Sequence, residues 1–245
     1  MTRAKLVVCQ DLKDLYRKVA GEFVRLARES VRATGRFVTA LSGGATPKGL
    51  YSLLAATEFQ EQIPWSQVHL FWGDERCVSP EHPESNYRLV RETLLSKIAI
   101  PAESIHRMAG ELDPPVAAIR YEDSLKEFFN LVKDQPPRFD LILLGLGDDG
   151  HTASLFPGSA ALNETRSLVA SLYVEKLMAH RLTLTLPVLN QAANVLFLVA
   201  GKNKANILRN VLQKRGASKN LPAQLVQPVS GRLIWFADQA AARSC

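Results

Sequence analysis

Two hydrophobic periods alternate along this chain. Short, nearly unbroken apolar runs at residues 6–9, 36–41, 68–72, 139–144, 195–200 and 232–236 read as strands, and the run at 139–144 has the pattern of a strand buried on both faces. Between them, apolar residues return at helical spacing. Leu15, Val19, Phe23, Leu26 and Ala27 mark one face of an amphipathic helix over 12–31, with a basic outer face and Gly35 to end it. Val116, Ile119, Tyr121, Leu125, Phe128 and Phe129 mark another over 114–133. Thr46 suits an N-cap and Pro47 a first helical position, which predicts a helix over 47–55. Ser85 is a cap for a helix from Asn86, and a short helix follows the last strand. Residues 181–186 alternate as a half-buried strand does, and 167–173 form a further strand.

Strands alternating with helices imply an α/β fold: a three-layer arrangement of a mainly parallel sheet with helices on both faces, built on right-handed connections. No repeat, low-complexity tract or long linker divides the chain, so residues 1–245 are expected to be one domain. Strands end in polar or glycine-rich turns at Ser42, Asp74, Gly145 and Gly201. In a parallel sheet those ends share one edge, which is where such folds bind ligands.

The central turn is Gly145-Leu146-Gly147-Asp148-Asp149-Gly150-His151. It spells the glycine spacing of a dinucleotide site, but Asp148 and Asp149 would repel a pyrophosphate. The acid expected about 20 residues on has only the late Glu175 to fill it. A nucleotide cofactor is therefore not expected. His151 is the candidate for proton transfer near neutral pH; the alternative is a histidine that merely bonds the turn. Ser42-Gly43-Gly44-Ala45-Thr46-Pro47 reads either as a phosphate cradle of free N–H groups at a helix start or as a tight turn with no ligand. No Walker lysine follows it. Lys204, in a first helical turn, opposes the helix dipole and is either an anion partner or a solvated surface lysine. His69 is expected to pack rather than ligate.

Composition narrows the function little. The net charge of +6 and pI of about 9.3 come from scattered basic residues, which suits small anionic metabolites better than nucleic acid. Three distant cysteines, Cys9, Cys77 and Cys245, argue for a reducing compartment and against a disulfide framework or cysteine zinc site. No His-Glu-x-x-His, carboxylate-rich loop or serine elbow is present, so no metal is expected. Neither a signal peptide nor a membrane span is read, which leaves the cytoplasm.

Several motifs in order resemble the 6-phosphogluconolactonases of the glucosamine-6-phosphate isomerase/6-phosphogluconolactonase family. They are the Ser42 to Pro47 turn, Trp72-Gly73-Asp74-Glu75-Arg76, the Gly145 to Pro157 stretch, Arg181 to Pro187, Leu221 to Pro228 and Trp235 to Ala242. The resemblance implies a Rossmann-like fold and hydrolysis of 6-phospho-D-glucono-1,5-lactone to 6-phospho-D-gluconate in the oxidative pentose phosphate pathway, without cofactor or metal. It implies phosphate binding by Ser42, Gly43, Gly44 and Thr46 with Arg181 and Lys204, and a sugar end lined by Asp74, Arg76, Asp149 and His151, with His151 as general base. A monomer acting on a small molecule is the default partner state. Two other readings stay open: a glucosamine-6-phosphate deaminase or isomerase, and a non-catalytic sugar-phosphate sensor. The deaminase branch carries a glutamate five residues after its histidine, where this chain has Phe156.

Overall fold

The computed structural model of the chain describes residues 4–132, 135–213 and 221–245. Ten strands follow in order: β1 Lys5–Cys9, β2 Phe37–Leu41, β3 Val68–Trp72, β4 Asp74–Arg76, β5 Ile105–His106, β6 Leu141–Gly145, β7 Val169–Val174, β8 Ala179–Leu184, β9 Asn194–Val199 and β10 Arg232–Asp238. The helices are α1 Leu12–Thr34, α2 Ala45–Leu54, α3 Thr57–Gln60, α4 Asn86–Thr93, α5 Pro114–Phe129, α6 Leu186–Gln191, α7 Ala205–Gln213, α8 Pro222–Leu225 and α9 Gln239–Ala242.

Local chemistry sets the helix ends. Asp11 accepts from the Asp14 N–H at 2.8 Å to start α1, and Gly35 closes it in the left-handed conformation. The helix runs past the apolar face at 12–31 to Thr34. Ser85 caps α4 as expected, accepting from the Arg88 N–H. Asn130, with φ of 54°, stops α5 at Phe129, short of the reading to 133; Lys133 itself lies outside the described residues. The start of α2 corrects the sequence reading. Gly44 is its N-cap, so Thr46 lies within the first turn and makes no cap bond. Pro47 is tolerated there because first-turn N–H groups have no intrahelical acceptor anyway.

Seven strands form one parallel sheet in the order β1-β10-β9-β6-β2-β3-β5. The α/β class and mainly parallel sheet therefore agree with the hydrophobic pattern. Residues Leu141, Ile142, Leu143 and Leu144 of the central β6 are fully buried, as their unbroken apolar run requires. Phe197 and Trp235 stack across neighbouring strands at 3.7 Å between ring centroids. His69 packs as expected, its ring 4.7 Å from that of Phe128 and its Nδ1 3.4 Å from Nε2 of His106.

Strands β4, β8 and β7 leave the main sheet and form a second, antiparallel one. Strict alternation of strand and helix breaks here. A single residue, Gly73, separates β3 from β4. Its N–H donates to the Leu41 carbonyl of β2, and its own carbonyl accepts from the Leu184 N–H of β8, both at 2.8 Å. The small sheet is thus hinged onto the C-terminal edge of the large one. Buried tyrosines brace the same edge. The Tyr51 hydroxyl accepts from the Ser42 N–H at 3.0 Å and donates to the Ser42 carbonyl at 2.7 Å. Tyr121 does the same for Trp72, at 2.8 and 3.1 Å. Among the described residues no helix is long and apolar enough to cross a membrane.

Candidate active site

Because β9, β6, β2 and β3 are parallel neighbours, the turns after Val199, Gly145, Leu41 and Trp72 open on one edge, as the sequence reading required. They enclose a cleft of about 560 Å³. Ser42, Gly43, Gly44, Thr46, Asp74, Arg76, His151, Arg181 and Lys204 all line it. Asp149 stands just behind, bonded to His151.

Part of the cleft is lined by the start of α2 and by cationic side chains. Ser42 projects a buried hydroxyl that has no hydrogen-bond partner among the described residues. Such a group is costly unless a ligand or water satisfies it. The backbone turns into α2 at Gly43 and Gly44, and the first-turn N–H groups of that helix adjoin the cleft. A side chain at Gly43 could not fit, since its Cβ would lie 1.8 Å from Oδ1 of Asn86. Arg76 of β4 and Arg181 of β8, which also line the cleft, are direct cross-strand partners. Each guanidinium donates to a main-chain carbonyl, of Glu84 and His180 respectively, and among the described residues neither pairs with a carboxylate. Burial, then the like charge of Arg76, pushes the Arg181 pKa down. A bound anion would relieve that repulsion.

Lys204 reaches the cleft from the turn before α7, where its Nζ lies 2.5 Å from Oδ1 of Asp148. Asn203 donates to the same oxygen at 3.3 Å. Asp148, for which the sequence suggested no role, is therefore the counter-ion of Lys204.

The Asp149–His151 pair borders the same cleft. His151 Nδ1 lies 2.5 Å from Oδ1 of Asp149, which also accepts from the His151 main-chain N–H at 3.1 Å. The imidazole rests against Gly147 so closely that a Cβ there would sit 2.0 Å from Nδ1. The other Asp149 oxygen pairs with the Lys176 ammonium. Partial burial pushes the Asp149 carboxyl up, but Lys176 and the His151 donors outweigh it and hold the pKa at about 2. At neutral pH Asp149 is thus an anion placed to accept a hydrogen bond from Nδ1 of His151.

Asp74 lines the cleft but is tethered. Its Oδ2 accepts from the Ser154 hydroxyl at 2.8 Å, and the Asn86 amide approaches its Oδ1 at 3.4 Å. Beside it, the buried Glu75 carboxylate accepts from the N–H groups of Asn86, Tyr87 and Arg76 and from the Ser85 hydroxyl. Burial nevertheless raises the Glu75 pKa. Glu75 fixes the start of α4, and Asn86 then spaces the cradle from Asp74. Of the residues named from the sequence, all but Asp149 line the cleft, and Asp149 meets it through His151; the positions of Asn86 and Lys176 were not foreseen. The Gly43–Asn86 fit has no local signal, and Lys176 lies in a turn without a motif.

Residues 10–235 match the family described as glucosamine-6-phosphate isomerases/6-phosphogluconolactonase. The chain belongs to this family. It is 43% identical over 213 residues to the 6-phosphogluconolactonase of Nostoc sp., covering 86% of each chain, and 44% identical over 214 residues to that of Synechocystis sp., covering 87% of this chain and 86% of the relative. Among solved structures, the 6-phosphogluconolactonase from Trypanosoma cruzi superposes with a TM-score of 0.88 at 28% identity, over 99% of this chain and 97% of that one. The mainly parallel sheet with helices described above is the fold of this structural neighbour.

Proposed function

We propose that this family member hydrolyses 6-phospho-D-glucono-1,5-lactone to 6-phospho-D-gluconate, the second step of the oxidative pentose phosphate pathway, with His151 as the general base on water. The observation that carries the chemistry is the Asp149–His151 pair, in hydrogen-bond contact at 2.5 Å beside a cleft that is also lined by two arginines with no carboxylate partner among the described residues. The lactone's phosphate takes the Ser42, Gly43, Gly44 and Thr46 cradle, with Arg181 and Lys204 as charge partners. That remote binding energy orients the ring for attack.

A lactone is a cyclic ester. Nε2 of His151 takes a proton from water as the oxygen adds to the carbonyl carbon. Arg76 supplies positive charge for the oxyanion that develops. When the tetrahedral species collapses, the bond from that carbon to the ring oxygen breaks, and the imidazolium returns its proton to the departing oxygen. General acid–base catalysis of this kind contributes about 10² to 10⁴-fold. Asp149 keeps the imidazole in the tautomer the step needs, and Asp74 anchors the Ser154 side of the cleft. With this reading go a monomer and a cytoplasmic address, and a reaction in which the side chains alone perform the proton transfers.

Phe156, 4.3 Å from His151 between ring centroids, stands where the deaminase branch carries its glutamate. That favours the lactonase over ring-opening chemistry. The two are separated by offering the protein freshly generated lactone and, separately, glucosamine 6-phosphate. Lactone loss above the spontaneous rate with no ammonia from the amino sugar is expected. Ammonia release without lactonase activity would replace the reading with the deaminase, and binding without turnover of either would replace it with the sensor.

A further inference from the structure

The Asp149–His151 pair has a third member that comes from outside the motif. Lys176 sits in the turn joining β7 to β8, the outer hairpin of the small antiparallel sheet. Its ammonium pairs with the Asp149 oxygen that His151 leaves open. The same nitrogen lies 4.6 Å from the centroid of the Phe156 ring, and that ring in turn lies against His151. The next residue, Leu177, lines the cleft. One lysine therefore touches both supports of the imidazole: the carboxylate on Nδ1 and the aromatic ring beside it.

We propose that Lys176 is a positioning residue of the reaction, which locks Asp149 against His151 and, by sharing the Asp149 charge, keeps the imidazole unprotonated at working pH. This rests on the general-base role assigned to His151 above. An unshared carboxylate 2.5 Å from Nδ1 stabilises the imidazolium and so spoils the base. A carboxylate shared with an ammonium does so less, while still accepting the Nδ1 proton that fixes the tautomer.

The lysine is half exposed, so solvent screens the pair and its influence on the site is through the charge it shares with Asp149. The other charged groups at the cleft are Asp148 and Asp149 on the histidine's own loop, Asp74 and Arg76 on β4, Glu84 before α4, Arg181 on β8 and Lys204 before α7. Arg76 and Arg181 act in the same sense as Lys176 but do not contact Asp149. Asp148 is neutralised by Lys204. Lys176 is thus the cation through which the Asp149 charge is balanced, and it arrives on a separate element. Movement of the β7–β8 turn would couple directly to the base.

The test compares wild type with Lys176→Met, Lys176→Gln and Lys176→Arg. Two quantities are followed against pH: the NMR titration of the His151 imidazole, and kcat/KM on fresh lactone above spontaneous hydrolysis. Both neutral variants should raise the His151 midpoint by about half to one pH unit. The acidic limb of kcat/KM should move with it. Activity at pH 6 then falls about three- to tenfold and recovers toward wild type at higher pH, with arginine restoring both curves. An unmoved His151 midpoint in folded neutral variants, or a loss of activity uniform in pH, would overturn the proposal. A wild type without lactonase activity would sink the functional reading instead, and the NMR midpoints would still decide whether Lys176 governs His151.

Discussion

The Asp149 carboxylate keeps its charge because three donors hold it: the Lys176 ammonium, the His151 main-chain N–H and the His151 imidazole. Its pKa of about 2, against an ordinary 3.8, links the site to acid stability. A folded-state pKa below the unfolded value means the group stabilises the fold at pH above about 4, and that this contribution disappears as pH falls through about 2. Asp149→Asn should therefore lower Tm at neutral pH, with the gap to wild type closing between about pH 4 and 2. Thermal melts across that range check it; a gap that stays constant with pH contradicts the assignment. Other residues in the cleft act by shape. Gly147 leaves room for the His151 ring and Gly43 for the Asn86 amide, so the glycines of both motifs serve close packing of the site's own side chains.

At the scale of elements, the cleft depends on how the ends of β2 and β3 are held. The fully buried Tyr51 and Tyr121 hydroxyls occupy main-chain groups of Ser42 and Trp72 that the sheet leaves open. Tyr51→Phe leaves the Ser42 N–H and carbonyl buried without that partner. It should cost about 1–3 kcal/mol in denaturant unfolding and loosen the phosphate cradle, which would show as a raised KM. A change under about 0.5 kcal/mol would mean that water replaces the hydroxyl. Six of the seven strands of the large sheet were readable from sequence as apolar runs such as Leu141 to Leu144, whereas β5, only Ile105 and His106, is too short to show a pattern. The N-cap of α2 was not readable, because Gly44 rather than Thr46 takes the non-helical position. The strands now seen at β7 and β8 were readable as strands, but not as members of a separate sheet. What sends them there is the pairing of Gly73 with both Leu41 and Leu184, a contact between segments far apart in the chain. Lys176 was hidden for the same reason, since Asp149 lies 27 residues before it.

For the molecule as a whole, the parallel order of β9, β6, β2 and β3 turns four separate motifs into one site. Each motif alone admitted a structural reading; their convergence at one edge could be inferred because every parallel strand delivers its C-terminal turn to the same side. The two sheets divide the work. The large sheet presents the cradle and the Asp149–His151 turn, while the small one brings Arg76, Arg181 and Lys176. A net charge of +6 suits an anionic metabolite drawn to that edge. The central claim is that His151 moves the proton. The most direct measurement is the rate of loss of freshly generated 6-phosphogluconolactone with wild type and His151→Ala, each corrected for spontaneous hydrolysis and confirmed to be folded. A fall in kcat of at least about 10²-fold with KM little changed is the expected result. A folded variant that retains wild-type kcat would contradict the account.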